Sequence, residues 1–310
     1  MATSRRASKR LHSNLGQDAA TSKPARVERM QLNPAPLPGQ PAGQQPLQLP
    51  VVVHTYPLLV DVRLNKRYKR FLADVQVTAA DDTKTVVTVH CPNTGPMTGL
   101  LDWPLAPACL SVSENAKRKY AHTLEMVQDA RGTWVGVHPA HANNIVKSML
   151  RSMLIPELLP YDSIQAEVKY GKDGKSRVDF LLKRPTTLSS VYAEVKSVTL
   201  AADKPEGPGR IALFPDTVSD RAQRHMRELI SMVESGHEAA VVFLIQRDDC
   251  DVFAPAHAID PKYGQLLLQA AAAGVKVVAL RCRMDPNAGT GQVQYLGPAK
   301  VELEYGLSKA

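Results

Sequence analysis

The chain has 310 residues, is 44% hydrophobic and carries a formal net charge of +8. No apolar run approaches the roughly 18–20 residues of a membrane span, and Cys91, Cys109, Cys250 and Cys282 have neither zinc-ligand spacing nor the density of a disulfide scaffold. The composition therefore points to a soluble, intracellular protein long enough for two domains. Seven Lys/Arg against two acids in residues 1–30 supply +5 of the net charge. Any nucleic-acid footprint on the rest must come from local clustering rather than overall charge.

Residues 1–30 are basic, rich in Ser and Ala, and free of acids before Asp18. They fit an organelle transit peptide (plastid or mitochondrion), or a nuclear-import or nucleic-acid tail through Arg5-Arg6 and Lys9-Arg10. Residues 31–50 hold six prolines and five glutamines, a semi-extended linker composition, so 1–50 is expected to be disordered. From about Pro57 to Val137, short β-like runs (PLLVDVRL, RFLADVQVTA, TVVTVHC, TWVGVHP) alternate with turn residues, which predicts a small barrel or sandwich over 51–139. HANNIVKSMLRSML then spaces Ile145, Met149, Leu150, Met153 and Leu154 as the apolar stripe of a helix ending before Pro156. The strands IQAEVKYG, SRVDFLL and VYAEVKSVTL follow, then a Gly/Pro-rich loop from Asp203 to Arg210. A helix is expected from Asp216 or Ser219 to Gly236, then a strand AAVVFLIQ, a helix near Tyr263–Ala273 and a strand VKVVAL. Antiparallel hairpins first and parallel crossovers later make 140–310 a small α/β layer domain.

Chemistry concentrates in SRVDFLLKRPTTLSSVYAEVKSVTL (176–200). Period-two alternation puts Glu194 and Lys196 on one strand face, opposite Val191 and Val195. If the hairpin loop is Gly171–Lys175 and pairing is symmetric about Asp173, Glu167 lies opposite Asp179. Cβ atoms of such a pair are roughly 4.5–5.5 Å apart. A register shifted by one would instead turn Glu167 to the other face. In the first case Glu167, Asp179 and Glu194 form a hard-oxygen set suited to Mg²⁺ or Mn²⁺ and not zinc, with Lys196 beside them.

Two basic clusters accompany this set. NKRYKRFLADV gathers Lys66, Arg67, Lys69 and Arg70 around Tyr68 and Phe71, the interleaving of cations and aromatics used on single strands and phosphate backbones. Strand alternation would place Tyr68 with Arg70, and Lys69 with Phe71. On the helix DTVSDRAQRHMRELI, Arg221, His225 and Glu228 share a face beside Arg224, which would offer a phosphate backbone a basic surface. Within CPNTGPMTG, the Asn, Thr and Gly residues could turn backbone N–H groups toward an anion, with a plain tight turn as the alternative.

The stretches RYKRFLADV, HCPNTGPM, SRVDFLL, AEVKSVTL and FPDTVSDRAQRHMREL, in this order across residues 57–285, resemble the sugar fermentation stimulation protein A family. The resemblance implies an oligonucleotide-binding-fold barrel followed by an α/β core of the PD-(D/E)xK nuclease type. On that template Asp179, Glu194 and Lys196 are the catalytic positions, and Glu167, Asp179 and Glu194 the metal ligands. Arg67, Tyr68, Lys69, Arg70, Arg221, Arg224 and His225 are read as nucleic-acid contacts. Pro96 departs from the family, which usually has a basic residue there, and Ala222 replaces a usual Gly. The expected function is DNA binding, DNA more than RNA, with a Mg²⁺- or Mn²⁺-dependent phosphodiesterase site. The alternative is a non-cleaving DNA-binding regulator of sugar metabolism.

Overall fold

The structure, a computed structural model, describes residues 48–171, 176–186, 189–286 and 290–307. The predicted disordered segment therefore lies, up to residue 47, outside the described residues, as does most of the 171–175 hairpin loop. No helix among the described residues is long and apolar enough to cross a membrane.

The barrel consists of β2 (Leu59–Tyr68), β3 (Leu72–Thr78), β4 (Lys84–His90), β5 (Ala106–Val112), β6 (His122–Gln128) and β7 (Trp134–Gly136), in the order β4-β3-β2-β5-β6-β7. A β4–β6 contact at His90 and Thr123 closes it. Alternating Val62, Leu64, Val75, Val89, Leu110 and Leu124 fill the interior. Lys69 and Arg70 both have positive φ, 49° and 61°. The strand thus ends at Tyr68 in a tight turn, and the expected alternation through Phe71 does not occur.

A mixed seven-stranded sheet forms the second unit. Its order is β1-β16-β15-β13-β10-β9-β8, from β1 (Val51–Thr55), β16 (Gln292–Pro298), β15 (Lys276–Asp285), β13 (Glu238–Ile245), β10 (Ser190–Val198), β9 (Ser176–Lys183) and β8 (Ser163–Tyr170). β1 precedes the barrel in sequence but pairs with β16, so Val51–Thr55 lies in the large sheet. β8, β9 and β10 are an antiparallel meander, whereas β10, β13 and β15 are parallel and joined by helical crossovers. A separate four-stranded sheet of β11 (Leu200–Asp203), β12 (Arg210–Phe214), β14 (Cys250–Pro255) and β17 (Lys300–Val301) occupies segments that the sequence shows as loop or leaves unassigned.

Three helices cover the large sheet. α1 (Pro139–Arg151) buries Ile145, Val146, Met149 and Leu150 against the face carrying Phe180, Leu182, Val191 and Val195. Met153, expected on its stripe, lies beyond the helix at φ 54° and is exposed. α2 (Asp220–Glu234) and α3 (Pro261–Ala272) cover the other face, with Met226, Leu229 and Leu267 against Val241 and Phe243. Ser219 caps α2 by accepting from the Ala222 N–H, and Asp260 caps α3 by accepting from Tyr263 N–H. Asp260 also accepts from Ser219 N–H and the Gln223 amide, which ties the two helix starts together.

Barrel and large sheet are joined by a buried charge network. Arg247, 2% exposed, donates to Asp129 in the β6–β7 turn, to Asp249 and to the Thr199 carbonyl; Arg210 bridges the same two acids. Removing one partner of a buried pair strands the others without solvation. Arg247→Met is therefore expected to cost about 3 kcal/mol, the low end for a broken buried pair because Arg210 remains. A loss in urea unfolding of less than about 1 kcal/mol, the range of surface pairs, would contradict this.

Candidate functional site

The β8–β9 ladder has the register expected from symmetry about residue 173, with Ala166 opposite Phe180 and Val168 opposite Val178. By the register of these flanking pairs Glu167 falls across from Asp179, although the ladder skips that pair. The β9–β10 ladder runs from Ser190–Lys183 to Ala193–Phe180 and stops there. The next pair in that register would be Asp179 with Glu194. Glu167, Asp179 and Glu194 hence occupy one row across three neighbouring strands, at the point where β9 and β10 part. Asp179 Oδ2 accepts the Val195 N–H at 2.7 Å, taking a donor the interrupted ladder leaves free.

Glu167 does not converge with the other two. Its backbone is left-handed, φ 55°, and its side chain is exposed. Among the described residues, the three expected carboxylates do not form a set of donor atoms lying within 4.8 Å of one another. Asp179 Oδ1 accepts from the Asn143 amide on α1 at 2.8 Å. Glu194 is 3% exposed, and its Oε1 accepts from Lys196 Nζ at 2.8 Å and from His225 on α2. With His225 Nδ1 donating to Glu194, the 3.3 Å approach of Lys196 Nζ to that nitrogen is proximity rather than a bond. Glu194 Oε2 is buried with no hydrogen-bond partner.

The two acids are driven apart electrostatically. Burial, reinforced by the Glu194 charge, pushes the Asp179 carboxyl above the usual aspartate range. Burial also opposes ionisation of Glu194, but Lys196 and His225 outweigh it and hold that carboxyl below the usual glutamate range.

The basic residues divide by exposure. Arg221 and Arg224 are exposed on α2 together with Arg227, and Arg224 Nε lies 3.8 Å from Glu228. His225, grouped with them by spacing, is 3% exposed and bonds to Glu194, so it belongs to the buried cluster rather than to the exposed basic face. Lys69 and Arg70 are exposed at the barrel turn. Arg67 points back, donating to the Arg70 and Asn93 carbonyls at 2.9 and 2.7 Å, and the Tyr68 hydroxyl donates to Asp74 at 3.0 Å. Both hold the turn. In the NTG loop, Gly95 N–H is consumed by Asn93 Oδ1, and a Cβ at Gly95 would lie 2.3 Å from Asp216 Oδ2. The loop therefore docks the barrel beside the start of α2 and does not hold that N–H out to an anion. Cys91 is fully buried, and burial pushes its thiol up.

Sequence reasoning missed Asn143, whose role depends on tertiary packing, and the place of His225. It also missed Glu125, His138 and His141, although His138 and His141 stand three residues apart at a helix start, a spacing that shares a face.

Two outcomes follow from this geometry. Glu194→Gln removes the charge that helps hold Asp179 up, so the Asp179 titration midpoint, read by carboxyl NMR without divalent cation, is expected to fall; an unmoved midpoint would mean that the two carboxyls do not sense each other. Gly95→Ala forces a methyl onto Asp216 and should lower the melting temperature. No change there would show that the loop can move off α2 freely.

Comparisons with known proteins agree with this architecture. Residues 66–137 match the family model described as the SfsA N-terminal OB domain, and 140–288 that of the sugar fermentation stimulation protein RE domain. The chain is 46% identical over 252 residues to a sugar fermentation stimulation protein homolog of Acaryochloris marina, covering 81% of this chain and 96% of that one. It is 44% identical over 253 residues to the homolog of Picosynechococcus sp., covering 81% and 94%. A solved structure of Pyrococcus furiosus SfsA in complex with Ca²⁺ superposes with a TM-score of 0.68 at 25% identity, over 81% of this chain and 99% of that one. The chain belongs to the sugar fermentation stimulation protein family.

Proposed function

We propose that the protein binds DNA and hydrolyses its phosphodiester bonds in a reaction that depends on Mg²⁺ or Mn²⁺, at the notch between β9 and β10. The observation that carries this reading is the buried Glu194 Oε2, an unpartnered anionic oxygen in the same row as Asp179. An isolated buried carboxylate oxygen is costly, and two adjacent carboxylates repel unless a cation neutralises them. This donor chemistry fits a hard divalent cation, which commonly uses one or two carboxylates and completes its shell with water and phosphate. Ca²⁺, with which the archaeal relative was solved, takes the same class of oxygen ligands. Asp179 and Glu194 would hold the cation, with Glu167 on the exposed rim.

When bound, such a cation supplies Lewis acidity and an activated water. The chain's own residues do the rest. Asn143 and Val195 N–H orient Asp179 through both of its oxygens. His225 and Lys196 orient Glu194, and the Lys196 ammonium lies ready to stabilise charge developing on a phosphate oxygen. Exposed Arg221 and Arg224, with Lys69 and Arg70 on the barrel, would hold the backbone and set register without reading sequence.

One observation favours the second reading, a binder that does not cut. Three of the four carboxylate oxygens of Asp179 and Glu194 already accept hydrogen bonds, as a charge cluster retained for structure would.

The deciding assay measures cleavage of single- and double-stranded DNA and RNA with Mg²⁺ or Mn²⁺. Asp179→Ala and Lys196→Ala are expected to lose on the order of 100-fold or more, and Glu167→Gln far less. Cleavage that survives Asp179→Ala would sink the assignment, while its absence from the wild type beside intact DNA binding would establish the second reading. In binding titrations, Arg221→Ser with Arg224→Ser should weaken affinity for all sequences alike and flatten the log–log salt slope by about 1 per lost phosphate contact. A slope unchanged in that variant places the DNA elsewhere.

A further inference from the structure

A second cluster lies where the barrel meets the large sheet, and the phosphodiester reading makes no use of it. Glu125, on barrel strand β6, is 3% exposed in its side chain. His138, at the N-cap of α1, places Nδ1 at 2.9 Å from Glu125 Oε2, and His141, in the first turn, places Nε2 at 3.0 Å from the same oxygen. Ser111 Oγ donates to the other oxygen, Oε1, at 2.6 Å. Among the described residues this is the set of three potential ligands whose donor atoms lie within 4.8 Å of one another.

A hydrogen-bonded strut would place the same residues together, but it would also be expected to satisfy its buried polar atoms. Here it does not. The Tyr56 side chain, 2% exposed, packs edge-on against the His141 ring with centroids 5.2 Å apart, and its hydroxyl has no partner. His141 Nδ1 and His54 Nε2 are likewise buried without partners, and the His54 ring lies 4.9 Å from that of His141. Unsatisfied groups gathered around one anion call for an ion or water among them.

We propose that Glu125 Oε2, His138 Nδ1 and His141 Nε2 bind a divalent transition metal of the zinc class, with a fourth position open to water. Two imidazoles and one carboxylate are a borderline donor set, which favours Zn²⁺ or Co²⁺ over Mg²⁺. At metal–ligand distances of about 2.0–2.1 Å, tetrahedral neighbours stand about 3.3–3.4 Å apart, so the 2.9 and 3.0 Å separations need open by only about 0.4 Å. Side-chain exposures of 22% for His138 and 18% for His141 leave an entry path. The bound metal would pin the barrel to α1. Asn143, which holds Asp179, is two residues beyond His141 on that helix.

The experiment uses the full-length chain stripped by a chelator and titrated with Zn²⁺, with Co²⁺ as spectroscopic probe and Mg²⁺ as control. One equivalent of Zn²⁺ per chain, a four-coordinate Co²⁺ absorption spectrum and a raised melting temperature are expected. In ¹⁵N-labelled wild type, the ring resonances of His138 and His141 should shift with Zn²⁺, a readout that needs no variant to fold. Glu125→Gln, His138→Gln and His141→Gln should each weaken Zn²⁺ binding by at least about tenfold. Asp179→Ala should leave the Zn²⁺ titration unchanged, which separates this site from the proposed phosphodiester site. The proposal is overturned by Zn²⁺ binding no tighter than Mg²⁺, by unmoved wild-type ring resonances, or by folded histidine variants that titrate like wild type.

Discussion

The structure turns on a carboxylate that the fold has removed from water. Burying an anion such as Glu194 is tolerable only with partners fixed in place. Those partners come from elements that must each be correctly docked: Lys196 from the same strand and His225 from α2. Asp179, next in the row, recruits α1 through Asn143 and the broken ladder through Val195. Two helices on opposite faces of the sheet are therefore positioned by one pair of acids. The hydrophobic stripes of α1 and α2 bring them to the sheet; the polar contacts set where along it they stop, because apolar packing alone tolerates small shifts.

The barrel is held to the same frame by three kinds of contact. Arg247 and Asp129 form a buried ionic strut, Gly95 lets the NTG loop close against Asp216 ahead of α2, and Glu125 reaches the first turn of α1. The second and third of these contacts end at the start of α2, which carries His225, and on α1, which carries Asn143. His141 and Asn143 are two positions apart on one helix, a rise of about 3 Å. The barrel junction and Asp179 are thus connected through one helix with no intervening loop.

Much of this was legible in the sequence because it depends on local periodicity. Strand alternation put Glu194 and Lys196 on one face, and symmetry about residue 173 put Glu167 opposite Asp179, the register that the flanking pairs keep although the ladder skips this one. What local pattern does not encode is where an exposed-looking residue meets another element. Spacing grouped His225 with Arg221, but the pull of buried Glu194 turned it inward. Glu167 has the expected register and an unexpected left-handed backbone, which directs its side chain outward. Val51–Thr55 adjoins the barrel in sequence and completes the far edge of the other sheet, a pairing across some 240 residues that no local signal announces. Lys69 and Arg70 read as strand because nothing in Tyr-Lys-Arg-Phe demands positive φ; the tight connection to β3 imposes it.

The acid pair also combines stability with availability. Were both carboxylates fully hydrogen-bonded, an incoming cation would have to break bonds before making any, and the site would be structural. Were neither bonded, the fold would not tolerate their burial. Glu194 resolves this by loading its stabilising partners on Oε1 and leaving Oε2 bare. Asp179 differs: both of its oxygens accept hydrogen bonds, while burial and the neighbouring Glu194 charge push its carboxyl above the usual aspartate range. At the proposed site a divalent cation would offset the repulsion between the two anions. The strand separation at Ala193–Phe180 is what permits this. A ladder continued as far as Val195 and Val178 would claim the Val195 N–H for a backbone carbonyl and leave Asp179 with Asn143 alone to aim it.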